Sequence, residues 1–440
     1  MNIGIIGAGI AGLTAAYELT KRGHKVVVLE AQPQAGGLAS GFKDERWEWP
    51  LERFYHHWFA SDDQVLGLIR ELGLEEKVFF PRPTTSIWHQ GRAYPFDSPL
   101  AVLLFPHLSL PYKLRLGLVT LYLRLTRNWK PLEGFTAHQW LSKAMGKQAY
   151  EVVWEPLLAG KFGEDYRKVN MAWFWARIKK RSPRLGYFIG GFQAFVNALA
   201  ERVREQGGEI RLGTPVQQIV VEEDRVVGVR IAARGEGQGA SNQLPASSFQ
   251  RLDKVIATVS PQALIELTPE LPEDYVAKLR QLRSLGAVVL ILALDRPLTN
   301  GHYWINLPQG EFPFLVLVEH TNYIEPCHYG GDHLVYLGHY PPPIHPYFQM
   351  SKEELLDLFL PPLRRFNPAF KPDWVRASWL FREPYAQPVP LVKHSQHIPD
   401  LVTPIQGLFW ASMSQVYPWD RGTNYAVELG RRVATLADQI

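Results

Sequence analysis

The sequence predicts an α/β fold, built on a parallel sheet with helices packed against it. Three observations predict this. At the N-terminus an apolar run, a glycine-rich turn, a helical stretch and a second apolar run follow one another. Near the C-terminus the apolar Leu408–Ala411 precedes another helical pattern, Tyr425 to Ala437. Between them, short β-rich runs (Ile210–Leu212, Val216–Val221, Val226–Ile231) follow the helical Phe192–Gln206, with turn residues at their ends.

In the first unit, Ile3, Ile5 and Ile6 read as a buried strand. Gly7, Gly9 and Gly12 then give G-x-G-x-x-G. Ala11 to Lys21 reads as a helix, and Gly23 stands where a C-terminal cap belongs. Val26 to Leu29 is the second strand and ends on Glu30. The three glycines differ in what they allow. Gly7 permits the tight turn, Gly9 admits a pyrophosphate close to the backbone, and Gly12 lets helix and strand pack. The helix N-terminus offers unpaired N–H groups to phosphates. Glu30 stands 18 residues past Gly12, where a carboxylate meets a ribose. Strand, glycines, helix, strand and acid together predict a dinucleotide site; a bare glycine turn leaves Glu30 without a role.

With 440 residues, the chain is long enough for two or three cores. It holds one cysteine, Cys327, so no internal disulfide forms, which suits a reducing cytosol. The apolar start is broken by Gly4, Gly7 and Gly9, unlike a secretory signal. No run approaches the roughly 18 apolar residues of a membrane span. A net charge of +4 does not call for nucleic acid, and no nucleic-acid motif is present. The scattered histidines show no metal-ligand spacing, so no metal site is expected.

The residues after Glu30 narrow the cofactor. Ala31 is followed by Gly36, Gly37, Leu38, Ala39 and Ser40. This resembles the E-x(5)-G-G-[RL]-x-x-[ST] extension of the flavin amine oxidase superfamily, which includes protoporphyrinogen oxidases, phytoene desaturases and, more distantly, UDP-galactopyranose mutases. The C-terminal stretch Gly407–Met413, Tyr417–Asn424 and the helix beyond resembles the superfamily's closing motif. The resemblance implies FAD, held by a glutathione reductase-like Rossmann domain interleaved with an α+β substrate domain. On that reading Gly7, Ala8, Gly9, Ile10, Ala11, Gly12, Glu30 and Ala31 hold the ADP half. Gly36, Gly37, Leu38 and Ala39 pass beneath the rest of the cofactor. The backbone of Val216 meets the adenine. Met413 lies at the ribityl chain, and Gly422, Thr423 and Asn424 lie at the isoalloxazine, with Thr423 capping a helix aimed at its N1–C2=O edge. Where the family often has Gly-Asp, this chain has Ser412 and Met413, which removes a carboxylate commonly bonded to the ribityl chain. The implied FAD domain takes residues 1–55, 185–260 and 400–440, and the substrate domain takes 56–184 and 261–399.

Three further stretches bear on the substrate. Arg46–Ala60 sets His56 and His57 among aromatic rings and resembles the segment that passes the flavin in oxidases and mutases of this superfamily. In an extended segment the two histidines point opposite ways, so one at most faces a given pocket, and a hydrogen-bonded core histidine beside an exposed one explains them equally well. Lys161, in a stretch resembling the substrate-domain segment of protoporphyrinogen oxidase-like proteins, is a candidate for cofactor or substrate contact or proton relay, as are His56 and His57; an exposed surface lysine is the plainer reading. Arg177, Lys179, Lys180, Arg181 and Arg184 form a basic cluster that suits either a solvated face or an anionic substrate group.

Leu100 to Trp129 carries only positive formal charges, Lys113, Arg115, Arg124 and Arg127, and Leu114, Leu118, Leu121 and Leu125 share one helical face. It reads as a helix pair closing over a core, or as a basic amphipathic segment on an anionic membrane surface. Pro81 to Pro99 reads as two short strands around the turn residues Gln90 and Gly91, Ser351 to Phe366 as a helix with a capping box, and 233–249 as a mobile hairpin loop or insertion without chemistry.

The leading expectation is an FAD-dependent oxidoreductase, cytoplasmic or peripherally membrane-associated, taking a hydride from a bulky, largely apolar small molecule. A redox-neutral flavin mutase on a nucleotide- or lipid-linked sugar and a non-enzymatic lipid-binding relative are the alternatives.

Overall fold

The computed structural model describes residues 1–232 and 247–440. Its organising layer is a five-stranded parallel sheet in the order 209–211, 25–29, 2–6, 254–257, 408–410. The apolar runs read from the sequence sit at its centre: Ile5 pairs with Val28 on one side and Ile256 on the other, and Ile256 pairs with Phe409. Ile3, Ile5, Val28, Ile256 and Leu408 are fully buried, as strands covered on both faces require.

The helix Ile10–Lys21 follows the first strand, with Gly23 left-handed after it at φ 80°. The closing helix Thr423–Gln439 packs across it. Gly430 makes that crossing close: a Cβ there would stand 2.5 Å from the Ala11 carbonyl and 2.7 Å from the Thr14 Cβ. Phe192, Val196, Leu199 and Val203 of the helix Gly191–Glu205 join the same core.

A seven-stranded mixed sheet forms the second layer, in the order 375–388, 284–294, 333–339, 316–319, 302–306, 84–89, 92–95. Its last two strands are the hairpin expected around Gln90 and Gly91, which take φ 48° and 79°. They come from early in the chain, and His302–Asn306 pairs parallel to Thr84–His89, which stitches the two segments into one sheet. Helices Ala137–Met145, Glu155–Phe162 and Met171–Lys180 build a separate helical core.

Two expectations change. The capping box at Ser351 and Glu354 is present, but the helix ends at Phe359 rather than Phe366. Pro361 and Pro362 remove backbone donors, and a 3₁₀ turn, Pro361–Arg365, replaces the last helical turns. Within 233–249, the residues 233–246 lie outside the described residues, and 247–251 is a strand of a three-stranded antiparallel sheet.

Leu100–Trp129 is a helix pair, Pro99–Leu104 and Leu110–Leu125. Leu116 and Leu123 face the helical core. The four leucines expected on one face do share it, and that face is bare: Leu114, Leu118, Leu121 and Leu125 are 56, 68, 52 and 70% exposed. Leu110 and Tyr122 extend the patch, and Leu103 and Leu104 of the shorter helix add to it. Among the described residues, no helix is long and apolar enough to cross a membrane.

Candidate active site

Two helix N-termini and a half-buried charge cluster make the site. The helix Ile10–Lys21 starts at Gly9 with no side-chain cap. Gly12 stands against the strand end, where a Cβ would lie 2.0 Å from the Gly7 carbonyl, whereas beside Gly9 the space is open for 4 Å. This is the glycine division of labour read from the sequence: one position for packing, one for approach. Gly36 and Gly37 take φ 128° and 55° and lie against the fingerprint; the Gly36 N–H donates to the Ala8 carbonyl at 2.9 Å. Glu30 accepts from the Ala8 N–H at 2.7 Å and the Gln32 N–H at 2.9 Å. Each carboxylate oxygen keeps a lone pair for a ribose hydroxyl.

At the other end of the chain, Thr423 is not the cap expected of it. The N-cap is Gly422, no side chain caps the helix, and the Thr423 hydroxyl accepts from the Trp58 indole N–H at 2.6 Å. The Asn424 carbonyl oxygen accepts from the Gln64 and Val65 N–H groups at 2.9 and 3.2 Å, tying the helix start to a neighbouring helix. The Tyr425 N–H donates to the Gly422 carbonyl at 3.1 Å, so among the described residues the Thr423 and Asn424 N–H groups are the first-turn donors left for something else. Ser412 and Met413, which stand where the family often has Gly-Asp, are braced by Tyr385: its hydroxyl bonds the hydroxyls of Ser412 and Ser414 at 2.7 and 2.6 Å.

Neither candidate histidine is exposed, which corrects the expectation that one would be. His56 Nδ1 lies 2.5 Å from the Phe54 carbonyl, and burial pushes its pKa down to about 4. His57 packs against Phe59, Tyr303 and Trp304, with Nδ1 buried and without a partner among the described residues. Burial, then Arg181, pushes it down to about 3. Burial thus favours the neutral form of both near pH 7.

Lys161 is not the surface lysine of the plainer reading: its side chain is 14% exposed, and Nζ lies 2.9 Å from Asp420 Oδ2. Burial pushes its pKa down, and Asp420 partly restores it, leaving it at about 7. Arg177 reaches the same Asp420 oxygen at 3.2 Å, and Trp173 donates its indole N–H to Oδ1 at 3.2 Å. Burial would raise the Asp420 pKa, but Lys161, Arg421 and Arg177 outweigh it and hold the carboxyl below the usual range. Arg421 stacks on Tyr340, whose hydroxyl accepts from the Tyr55 hydroxyl at 2.6 Å. Just before the helix that carries Lys161, Tyr150–Trp154 forms a π-helical turn, an irregularity that often marks functional sites.

Asp420, Arg421 and the Tyr55–Tyr340 pair were not singled out from the sequence. Asp420 and Arg421 lie inside the closing motif, where the only signal was a charged pair flanked by glycine and aromatics. No cluster of His, Cys, Asp and Glu fit to hold a metal occurs among the described residues.

A parallel sheet with an open glycine turn, an acid at the end of its second strand and two uncapped helix N-termini defines a dinucleotide-binding fold. The chain belongs to the flavin containing amine oxidoreductase family, which matches residues 10–437. It is 24% identical over 328 residues to 15-cis-phytoene desaturase of Synechococcus elongatus, covering 68% of this chain and 67% of the relative. It is 27% identical over 191 residues to the chloroplastic protoporphyrinogen oxidase of Nicotiana tabacum, covering 42% of this chain but only 34% of that protein. Among solved structures, an oxidoreductase from Methanosarcina mazei is similar over 100% of both chains (TM-score 0.73, 20% identity). Cyclohexylamine oxidase from Brevibacterium oxydans is similar over 99% of this chain and 98% of its own (TM-score 0.72, 16% identity). The protein is therefore a flavin-dependent oxidoreductase, and its cofactor is FAD. The residues present fit that group: the open side of Gly9, the spare lone pairs of Glu30 and the two uncapped helix starts offer the donors and acceptors that a diphosphate, a ribose and a flavin edge need.

Proposed function

We propose that the chain takes a hydride from a bulky, largely apolar substrate, as the names of its desaturase and porphyrinogen oxidase relatives suggest. FAD, when bound, supplies the hydride acceptor. The proposed cofactor domain takes 1–55, 185–260 and 400–440, and the substrate domain takes 56–184 and 261–399; in support, the five parallel strands fall within the first set and the seven mixed strands within the second. The cofactor contacts proposed are the fingerprint residues, Glu30 and Ala31, Gly36–Ala39, Val216, Met413 and Gly422–Asn424.

The observation that carries this reading is the pair of uncapped helices crossing at Gly430. They pack the two ends of the chain together, which supports one shared cofactor, and the wall proposed beside it is Tyr55, His57, Trp304 and Tyr340. His56 and His57, neutral at pH 7, orient and exclude water, while Lys161 on Asp420 holds a proton that exchanges near neutral pH. The likeness to reduced UDP-galactopyranose mutase stands at 16% identity and carries the fold alone.

The finer part of the proposal is where the substrate comes from. The bare leucine face of Leu110–Leu125 rests on the surface of an anionic bilayer. From Ser98 to Leu132 there is no acid, while Lys113, Arg115, Arg124, Arg127 and Lys130 supply positive charge. The helix is 16 residues, about 24 Å, and lies on a membrane rather than spanning it. The test is twofold. Purified protein must be yellow or take up FAD; a colourless preparation that no FAD reconstitutes sinks the enzyme reading. Sedimentation with phosphatidylglycerol vesicles must pull the protein down, and equal recovery without vesicles sinks the bilayer reading.

A further inference from the structure

The Asp420 cluster carries more positive charge than its own chain neutralises. Three cations share one carboxylate: Lys161 at 2.9 Å, Arg177 at 3.2 Å and Arg421 at 3.9 Å. Arg181 stands nearby and forms no salt bridge among the described residues. Aromatic faces carry part of the surplus. Lys161 and Arg177 lie 5.5 and 5.8 Å from the Trp173 ring centre, and Arg421 lies 5.4 Å from that of Tyr340. These side chains are half-buried, Arg177 at 34% exposure and Arg421 at 22%, and a surplus of charge held partly out of water is costly unless something answers it. A second observation points the same way. His57, within the field of Arg181 and Arg177, has its Nδ1 buried with no hydrogen-bond partner among the described residues. A buried orphan donor or acceptor costs the fold unless a ligand completes it.

The cluster also borders the leucine face. The Arg124 guanidinium, at the end of that helix, donates to the Arg181 carbonyl at 3.3 Å. Lys179 donates to the carbonyls of Arg124 and Thr126, and Trp175 to that of Thr126 at 3.1 Å. The end of that helix thus packs against the backbone of Arg181, whose side chain forms no salt bridge among the described residues.

We propose that Arg177, Arg181 and Lys161 form a subsite for an anionic group, a phosphate or a carboxylate, on an otherwise apolar substrate drawn from the membrane surface. This rests on the reading of the site as that of an FAD-dependent enzyme for apolar substrates. The anion accepts bidentate bonds from the arginines and holds the apolar body toward the tyrosine wall. No bond is made or broken in this step. The rival occupant is the negative charge of the reduced flavin, which the same cations would then serve.

The test uses the full-length FAD-loaded protein with three chain-matched probes: dodecyl phosphate, dodecanoate and dodecanol, each below its micelle concentration. Binding is followed by calorimetry and by the flavin's visible spectrum. Both anions are expected to bind about tenfold or more tightly than the alcohol. The tighter of the two identifies the head group. Arg177→Gln/Arg181→Gln is expected to abolish that preference while leaving the affinity for dodecanol and the FAD content unchanged. Where the double variant misfolds, Arg181→Gln alone serves, since Arg181 has no salt bridge to lose among the described residues. Equal affinity for anions and alcohol overturns the proposal, as does a preference that survives the substitutions. It is also overturned by a variant whose flavin potential shifts while its probe preference does not, because the cations then serve the flavin. A yellow protein with no head-group preference defeats this inference alone; a protein that takes up no FAD defeats the enzyme reading beneath it.

Discussion

Replacing Glu30 with Gln tests the cofactor site at its most constrained atom pair. The carboxylate accepts from two backbone donors at once, Ala8 N–H at 2.7 Å and Gln32 N–H at 2.9 Å. A carboxamide has one oxygen, so its NH₂ must face the other N–H, donor against donor. The loss is one charge-assisted hydrogen bond, about 1.5–3 kcal/mol. A ribose hydroxyl needs the same group, so the penalty falls on the bound state as well as on the empty loop. If half or more of it falls on binding, the FAD dissociation constant rises roughly tenfold. The assay is fluorescence titration of apoprotein with FAD, paired with the thermal midpoint of the apoprotein. Weaker binding together with a lower midpoint is expected. An unchanged dissociation constant with a lowered midpoint would show that Glu30 only braces the loop, and the ribose role would have to be abandoned.

Four further outcomes follow from the same geometry. Gly430→Ala drives a Cβ to 2.5 Å from the Ala11 carbonyl, which is backbone and cannot step aside. We expect a loss of about 1–3 kcal/mol, partly offset by better helix propensity, with thermal midpoint and FAD affinity falling together; a midpoint equal to wild type refutes the close crossing. Leu118→Ser removes a leucine that is 68% exposed, so about 1–2 kcal/mol of bilayer transfer disappears and vesicle partitioning drops roughly tenfold; partitioning that is unaltered refutes the leucine face as the contact. Lys161 titrates at about 7, so kcat/KM on any accepted substrate should show a limb there, and Lys161→Arg, which keeps the charge and the Asp420 contact, should remove it; persistence of the limb assigns it elsewhere. Glu52 is fully buried, and burial raises its pKa from 4.5 to about 7. An acid raised on folding stabilises the fold fully below pH 4.5, and that contribution fades as pH rises through about 7, roughly 3 kcal/mol in all; Glu52→Gln should flatten that slope in thermal midpoints taken across the range.

What the sequence disclosed was local. The fingerprint could be read because strand, turn, helix and acid lie within thirty residues of one another, and each step is dictated by backbone chemistry that glycine and β-branched residues advertise. The hairpin at Gln90–Gly91 and the capping box at Ser351 were legible for the same reason. The charge cluster was not. Lys161 is separated from Asp420 by 259 positions and Arg177 by 243, and no periodicity links them. A lone lysine in an apolar stretch looks like a surface residue until the fold brings a carboxylate to it. Thr423 misled in the opposite way: a hydroxyl at a helix start is a good cap by residue type, but Trp58, 365 positions earlier, claims it.

The helix Leu110–Leu125 marks the boundary between the two cases. It is apolar nearly all round, so hydrophobic spacing alone does not say which side meets the core. Leu116 and Leu123 lie one helical repeat apart and are the side that is buried; Leu110, Leu114, Leu118, Leu121 and Leu125 run along the other. Such a stripe is tolerable on a soluble surface only if something covers it. The charge pattern, visible from the start, supplies the constraint that spacing lacks: five cations and no acid from Ser98 to Leu132 disfavour a basic protein partner and a second copy of the same basic face. An anionic, fluid, apolar surface satisfies both the leucines and the cations. On the proposed bilayer contact, an amphiphile's head group would lie near Arg181, which has no salt bridge among the described residues, so one physical explanation would cover both that arginine and the bareness of the helix.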